Sequence, residues 1–200
     1  MPAQQLDDAR EAMRRIRASL DREIDAIRRN PRYSETGRLQ EIAKATFNAR
    51  KEAGSLRDRF TTNNEDVRKR LTAKLFGVPA GADATTTLVL RDAQDRAAKL
   101  DSADAAAAML ARALDLGDAL LARAVAGEAY SRKWRDVVAA YAEATHLEDE
   151  LAELDSLPSG GLLKTGLNAL FSIRAPRELL SGLAGDLPDA RLLAIAEGLG

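Results

Sequence analysis

Between residues 6 and 27 the apolar side chains Leu6, Ala9, Met13, Ile16, Leu20, Ile24 and Ile27 recur at spacings of three and four, and charged residues fill the gaps. An α-helix puts such positions on one face, because 3.6 residues per turn bring i, i+3, i+4 and i+7 together, whereas a strand would send them to both sides. The stripe is narrow, so the helix is expected to pack along a second helix rather than sink into a broad core. Pro31 ends it: proline has no N–H to donate and disfavours helical geometry in the residue before it, so the helix stops near Asn30. Residues 30–37 then form a polar connection.

From Ser34 or Thr36 the same spacing resumes through Leu39, Ile42, Thr46, Ala49, Ala53, Leu56, Phe60, Val67, Leu71 and Leu75. Unbroken from Thr36 to Phe76, this helix would be about 60 Å long. The run Thr61-Thr62-Asn63-Asn64 consists of poor helix formers, and the Glu65-Asp66 pair behind it resembles an acidic first turn. A kink or break would fall there. Gly77, Pro79 and Gly81 end the element.

Composition extends the helical reading to the whole chain. Of 200 residues 39 are Ala and 29 Leu, against six Pro and eight aromatics, and Ala and Leu lose little on entering a helix. After the linker, helices are expected at about 86–100, 102–115, 118–131, 133–145 and 147–156. Asp101 or Ser102 caps the second of these, Asp118 starts the third after Gly117, and a turn at 132–134 separates the next pair. Tight turns between short helices favour antiparallel neighbours. Beyond Pro158-Ser-Gly-Gly161 the charge thins out. A short helix over 162–170, an extended piece over 171–176 and a last helix over 188–198 with Asp186 as its cap are expected there. The fold class is therefore all-α, a long N-terminal antiparallel helical hairpin followed by a short array of antiparallel helices and an irregular C-terminal tail. Its segments are a basic, coiled-coil-like hairpin (1–76), a linker (77–85), an acidic helical array (86–157) and an apolar tail (158–200). The tail must dock somewhere; its default site is the array, its alternative a neighbouring subunit.

Several kinds of chemistry have no residues to carry them. Without Cys there are no disulfides, thiol nucleophiles or cysteine metal ligands, and His146, the lone histidine, rules against His-based metal sites. Gly160-Gly-Leu-Leu-Lys-Thr165 lacks the Gly that a phosphate loop places before its Lys. Carboxylates at Glu148, Asp149, Glu150, Glu153 and Asp155 spread around a helix instead of alternating as in a calcium loop. His146 has no partner recognisable from sequence that would make it a general base. The serines stand in no nucleophile-elbow pattern. No catalytic, cofactor-binding or metal-binding residue is therefore assigned, and the chain is read as non-enzymatic. No basic segment followed by an apolar core opens it, and the apolar run 162–173 is far short of the ~20 residues a membrane span needs. No membrane association is expected.

Net charge is −1, yet residues 1–76 carry 18 Lys+Arg against 12 Asp+Glu while residues 77–200 carry 12 against 19. Opposite halves of this kind attract each other within one molecule or head to tail between copies. Arg14, Arg15, Arg17, Arg28, Arg29, Arg32, Arg68, Lys69 and Arg70 could touch phosphates, but acidic residues interleave with most of them, so nucleic acid is a minor alternative.

Two resemblances add to this reading. Residues 133–144, with Trp134 at the aromatic start, Tyr141 in mid-helix and Ala144 at the small position, resemble the second helix of a tetratricopeptide repeat. The match covers roughly one repeat and implies stacked helix pairs with a partner-binding groove. The Ala/Arg/Asp-rich hairpin containing Asn30-Pro-Arg-Tyr-Ser-Glu-Thr-Gly37, together with a helical middle and a Pro-punctuated tail, resembles small helical proteins of actinobacterial phages and prophages. That resemblance implies a role in virion structure or assembly (head, connector or scaffold), in the virion or the host cytoplasm, with the chain itself or other virion proteins as partners. A cytoplasmic adaptor of the helical-repeat type and a DNA-associated regulator are the alternatives. Candidate partner-contact residues are Leu20 and Ile24 on the hairpin seam, Trp134 and Tyr141 in the array, and Phe171 and Ile173 in the tail. Core packing is the competing role for Trp134 and Tyr141.

Overall fold

The structure is a computed structural model and describes residues 2–158, 161–180 and 185–199, with side chains over 4–158, 165–180 and 185–199. Among the described residues there are nine α-helices, one 3-10 turn and no strand. The fold is all-α, as the spacing predicts. The chain divides into two compact units, 1–63 with 158–200, and 64–157.

In the first unit α1 (Pro2–Arg29) packs against the N-terminal part of α2 (Glu35–Phe76). All six seam residues from Ala9 to Ile27 are buried, facing Ile42, Ala43, Ala45, Ala49, Ala53 and Phe60. Four alanines on α2 allow a close approach but bury little area each. The remaining apolar surface is covered by the C-terminal segment: Phe171 at the end of α8 (Gly161–Phe171), Ile173 and Ala175 in an extended stretch, Leu179 in the 3-10 turn, Leu187, and Leu192 in α9 (Asp189–Ala196). The tail thus docks on the hairpin, where its apolar side chains complete the core that α1 and α2 begin, and not on the array that was its default site. The Pro158–Gly161 boundary lies partly outside the described residues, as do the side chains of Leu162 and Leu163.

The long helix does not break at Thr61–Asn64. Apolar residues on both sides of that run are buried, Phe60 in one core and Leu71 and Leu75 in the other, and such packing outweighs weak local propensity. The division between units nonetheless falls between Asn63 and Asn64. The last turns of α2 therefore share a core with the array, where the sequence reading assigned all of 1–76 to the hairpin.

In the second unit those turns accompany α3 (Ala84–Ala97), α4 (Ala103–Asp115), α5 (Ala119–Arg132), α6 (Arg135–Thr145) and α7 (Glu148–Ser156). Helix α5 is central and touches α3, α4 and α6. Leu121, Ala122, Ala124, Val125, Ala126 and Ala129 bury it almost all round, which is what a helix without a distinct polar face requires. Side-chain oxygens of Asp83, Ser102 and Asp118 accept hydrogen bonds from the N–H groups of Thr86, Ala105 and Leu121 and start three of these helices. Asp83 brings the start of α3 two residues forward of the expected one. Lys133 and His146 adopt the left-handed conformation at the ends of α5 and α6, so the tight turns expected near 132–134 and 146 are made without glycine.

Candidate functional site

Five of the six residues proposed from sequence as partner contacts are used inside the chain itself. Leu20, Ile24, Phe171 and Ile173 are buried in the first core, where Phe171 lies against Phe60 with ring centroids 5.8 Å apart. Tyr141 is buried in the second, and its hydroxyl donates to the Leu75 carbonyl at 3.0 Å. Burial pushes the Tyr141 hydroxyl above its ordinary pKa. Trp134 is half-buried and precedes α6, with the Arg132 guanidinium 5.1 Å from its ring centroid. Ala144, the small position of the repeat-like pattern, faces solvent. Periodicity finds the apolar face of a helix but does not say whether the chain's own segments cover it.

The tail is held by a polar latch that spacing could not reveal. Arg50, with a side chain only 13% exposed, donates to the carbonyls of Ile173 (2.8 Å) and Leu187 (2.6 Å) and to the carboxylates of Asp189 (2.8 Å) and Asp186 (2.7 Å). Asp186 was expected to cap the last helix. Instead its Oδ1 accepts from the N–H groups of Ala175 and Leu187, and Pro188 occupies the cap position of α9. The carboxylate goes where a mostly buried guanidinium and two non-helical N–H groups need an acceptor. Arg28 adds a pair with Glu178, and Arg17 donates to the carbonyls of Leu170 and Ser172. Within the first unit, basic residues of the first half of the sequence thus pair with acidic residues of the second.

The free surface that sequence reasoning missed lies on α3 and the end of α4. Leu88 is 63% exposed, Val89 47% and Leu116 73%. On α3 the buried positions are Leu90, Ala93 and Ala97, so Leu88 lies opposite the core-facing stripe and Val89 on its flank. Leu116 lines a groove of about 540 Å³ together with Leu100, Met109, Ala108, Arg96 and Arg112. The signal was present in the sequence: Leu88 and Val89 are out of step with the 90, 93, 97 spacing.

Among the described residues no group of three or more His, Asp or Glu could hold a metal ion, and no helix is long and apolar enough to cross a membrane. Glu148, Asp149 and Asp155 are exposed around α7, Glu150 pairs with Lys74, and His146 is exposed at the end of α6. On the basic hairpin Arg10, Arg14, Arg15 and Arg29 each have a carboxylate partner three or four residues away, at Asp7, Glu11 or Asp25. Comparison with protein families, with curated proteins and with solved structures gives no match.

Proposed function

We propose that this protein is a structural or assembly component of a phage virion that acts through helix-mediated protein contacts and catalyses no reaction. The observation that carries the contact role is the exposed apolar surface of the second unit, Leu88, Val89 and Leu116 with the groove beside Leu116. Leu88 and Leu116 are held mostly in water and Val89 about half so, and apolar side chains gathered beside a groove suit a partner site. The virion context draws on the hairpin and its Asn30–Gly37 connection, through the resemblance to phage proteins. The paired arginines of α1 favour a solvated, charge-compensated face over a phosphate-binding one.

Deletion of the gene in the phage or prophage that carries it is the decisive experiment. Electron microscopy should then show incomplete or misassembled particles, and infectious titre should fall at least tenfold while intracellular phage DNA accumulates normally. Intact particles at normal titre would overturn the virion role. A cytoplasmic helical-repeat adaptor is the second reading. It draws support from the succession α4 to α7, in which neighbouring short helices pack on each other, and it predicts a partner that does not copurify with particles.

A further inference from the structure

We infer that the outward face of α3 is the contact of a symmetric homodimer, in which α3 of one copy lies antiparallel to α3 of the second. This rests on the reading that the protein works through contacts, and it names the partner as another copy of the chain. The pattern along α3 is self-complementary. Its exposed surface carries apolar Leu88 and Val89 toward the N-terminal end, Asp92 in the middle and Arg96 toward the C-terminal end, and Arg96 borders the groove that has buried Leu100 in its lining together with Met109 and Leu116 of the α4 segment. In an isologous contact residue i of one copy meets residue j of the other, and j meets i. An antiparallel register that sets Asp92 opposite the partner's Arg96 carries Leu88 to the groove that begins beside that Arg96, and both contacts occur twice.

The charges suit that use. The Asp92 and Arg96 side chains are 74% and 50% exposed and approach each other within one helix only at 4.0 Å, leaving both open to a stronger intermolecular pair. Arg112 also lines the groove and offers a second positive charge to the incoming Asp92 or Asp95, while Asp118, the carboxylate in the same lining, is engaged by the Leu121 N–H at the start of α5. The apolar half obeys the same logic: Leu88 is among the most exposed large aliphatic residues described, and the groove that accepts it is rimmed by Leu116, which is more exposed still. Each copy thus owns both the protruding side chains and the depression that receives them. A face of one 14-residue helix and one groove is at the small end of interface sizes, so the dimer should be concentration-dependent.

Sedimentation equilibrium of the full chain from about 1 to 500 µM tests this. A reversible monomer–dimer equilibrium is expected, and Leu88→Asp should weaken it at least tenfold with helicity by circular dichroism unchanged, since the side chain is exposed. Charge reversal fixes the register. Asp92→Arg alone sets Arg against Arg96 and Arg96→Asp alone sets Asp against Asp92, so each variant should dimerise at least tenfold more weakly than the parent. Their equimolar mixture restores both attractive pairs and should form a heterodimer of parental strength. Three results overturn the inference: a monomer throughout the range, a dimer indifferent to Leu88→Asp, or single variants that are not rescued by mixing. Each of them leaves the virion role to be decided by the deletion phenotype.

Discussion

Arg50 shows how one side chain can tie down two non-helical stretches of the tail, around Ile173 and around Leu187. Its guanidinium is mostly buried and spans two carbonyls and two carboxylates that lie between residues 173 and 189. Replacing it by Met keeps the apolar stem and removes every one of these bonds, leaving acceptors that must recover water. Arg50→Met should lower stability by about 2 kcal/mol or more, and hydrogen exchange over 172–192 should accelerate at least tenfold relative to α1. Arg50→Lys should fall between, because an ammonium keeps the charge but cannot reproduce the planar fork. Unchanged exchange in Arg50→Met would show that the apolar contacts of the tail suffice. Glu178 makes the related pH argument. Burial by itself would raise its carboxyl, but a backbone hydrogen bond and the Arg28 guanidinium outweigh burial and hold it below the usual 4.5. A carboxylate with a depressed native pKa stabilises the fold above its ordinary pKa, and that contribution fades as pH falls through the lower native value. The stability gap between the parent and Glu178→Gln should therefore be present at pH 7 and close below about pH 4. Its size should be only a few tenths of a kcal/mol, since the pair is partly exposed. A gap independent of pH would mean that the carboxylate's charge is not what Arg28 engages.

At the scale of elements, the seam of α1 carries the clearest expectation. Ile24 is buried against α2, so Ile24→Asp removes a packed aliphatic group and buries a carboxylate in its place. A loss of about 3 kcal/mol or more is expected, seen as a lower thermal midpoint and reduced helicity, and a midpoint unchanged from the parent would mean that α1 does not pack through this face. Helix positions were readable from sequence because two signals coincide in them: apolar spacing near 3.6 and polar caps such as Ser102 and Asp118, both observed to accept the expected kind of N–H bond. The Thr61–Asn64 run shows where propensity fails. Four poor formers remain helical because Phe60 and Leu71 are anchored on either side. Asp186 shows the converse failure, a good capping residue diverted by Arg50, a group 136 positions away in sequence. The candidate site was less legible than the fold. Spacing identified Leu20, Ile24, Phe171 and Ile173 as apolar, but only their tertiary partners reveal that they are occupied. Leu88 and Val89 stand out of step with the 90, 93, 97 spacing, but only the burial of Leu90, Ala93 and Ala97 turns that into an outward face, and no spacing singles out Leu116.

For the whole molecule, the consequential fact is that one compact unit is continuous in sequence and the other is not. Residues 64–157 hold every member of their own core, whereas the hairpin core also needs Phe171, Ile173, Ala175, Leu179, Leu187 and Leu192 from beyond residue 157. Among the described residues, ending the chain after Leu157 therefore strips six buried apolar side chains from the first unit and none from the second. At about 25 cal/mol per Å² of apolar surface, removing that many buried side chains exceeds the margin by which a small helical pair is stable. The single tryptophan makes the prediction separable, because Trp134 lies in the second unit and its fluorescence reports that unit alone. In a chain of residues 1–157, the helical signal by circular dichroism should melt in two steps, the first well below the parental midpoint, while the Trp134 transition keeps its parental midpoint to within a few degrees. A Trp134 transition that falls in step with the helical signal would mean that the second core depends on the tail after all, and that the two cores fold as one cooperative body.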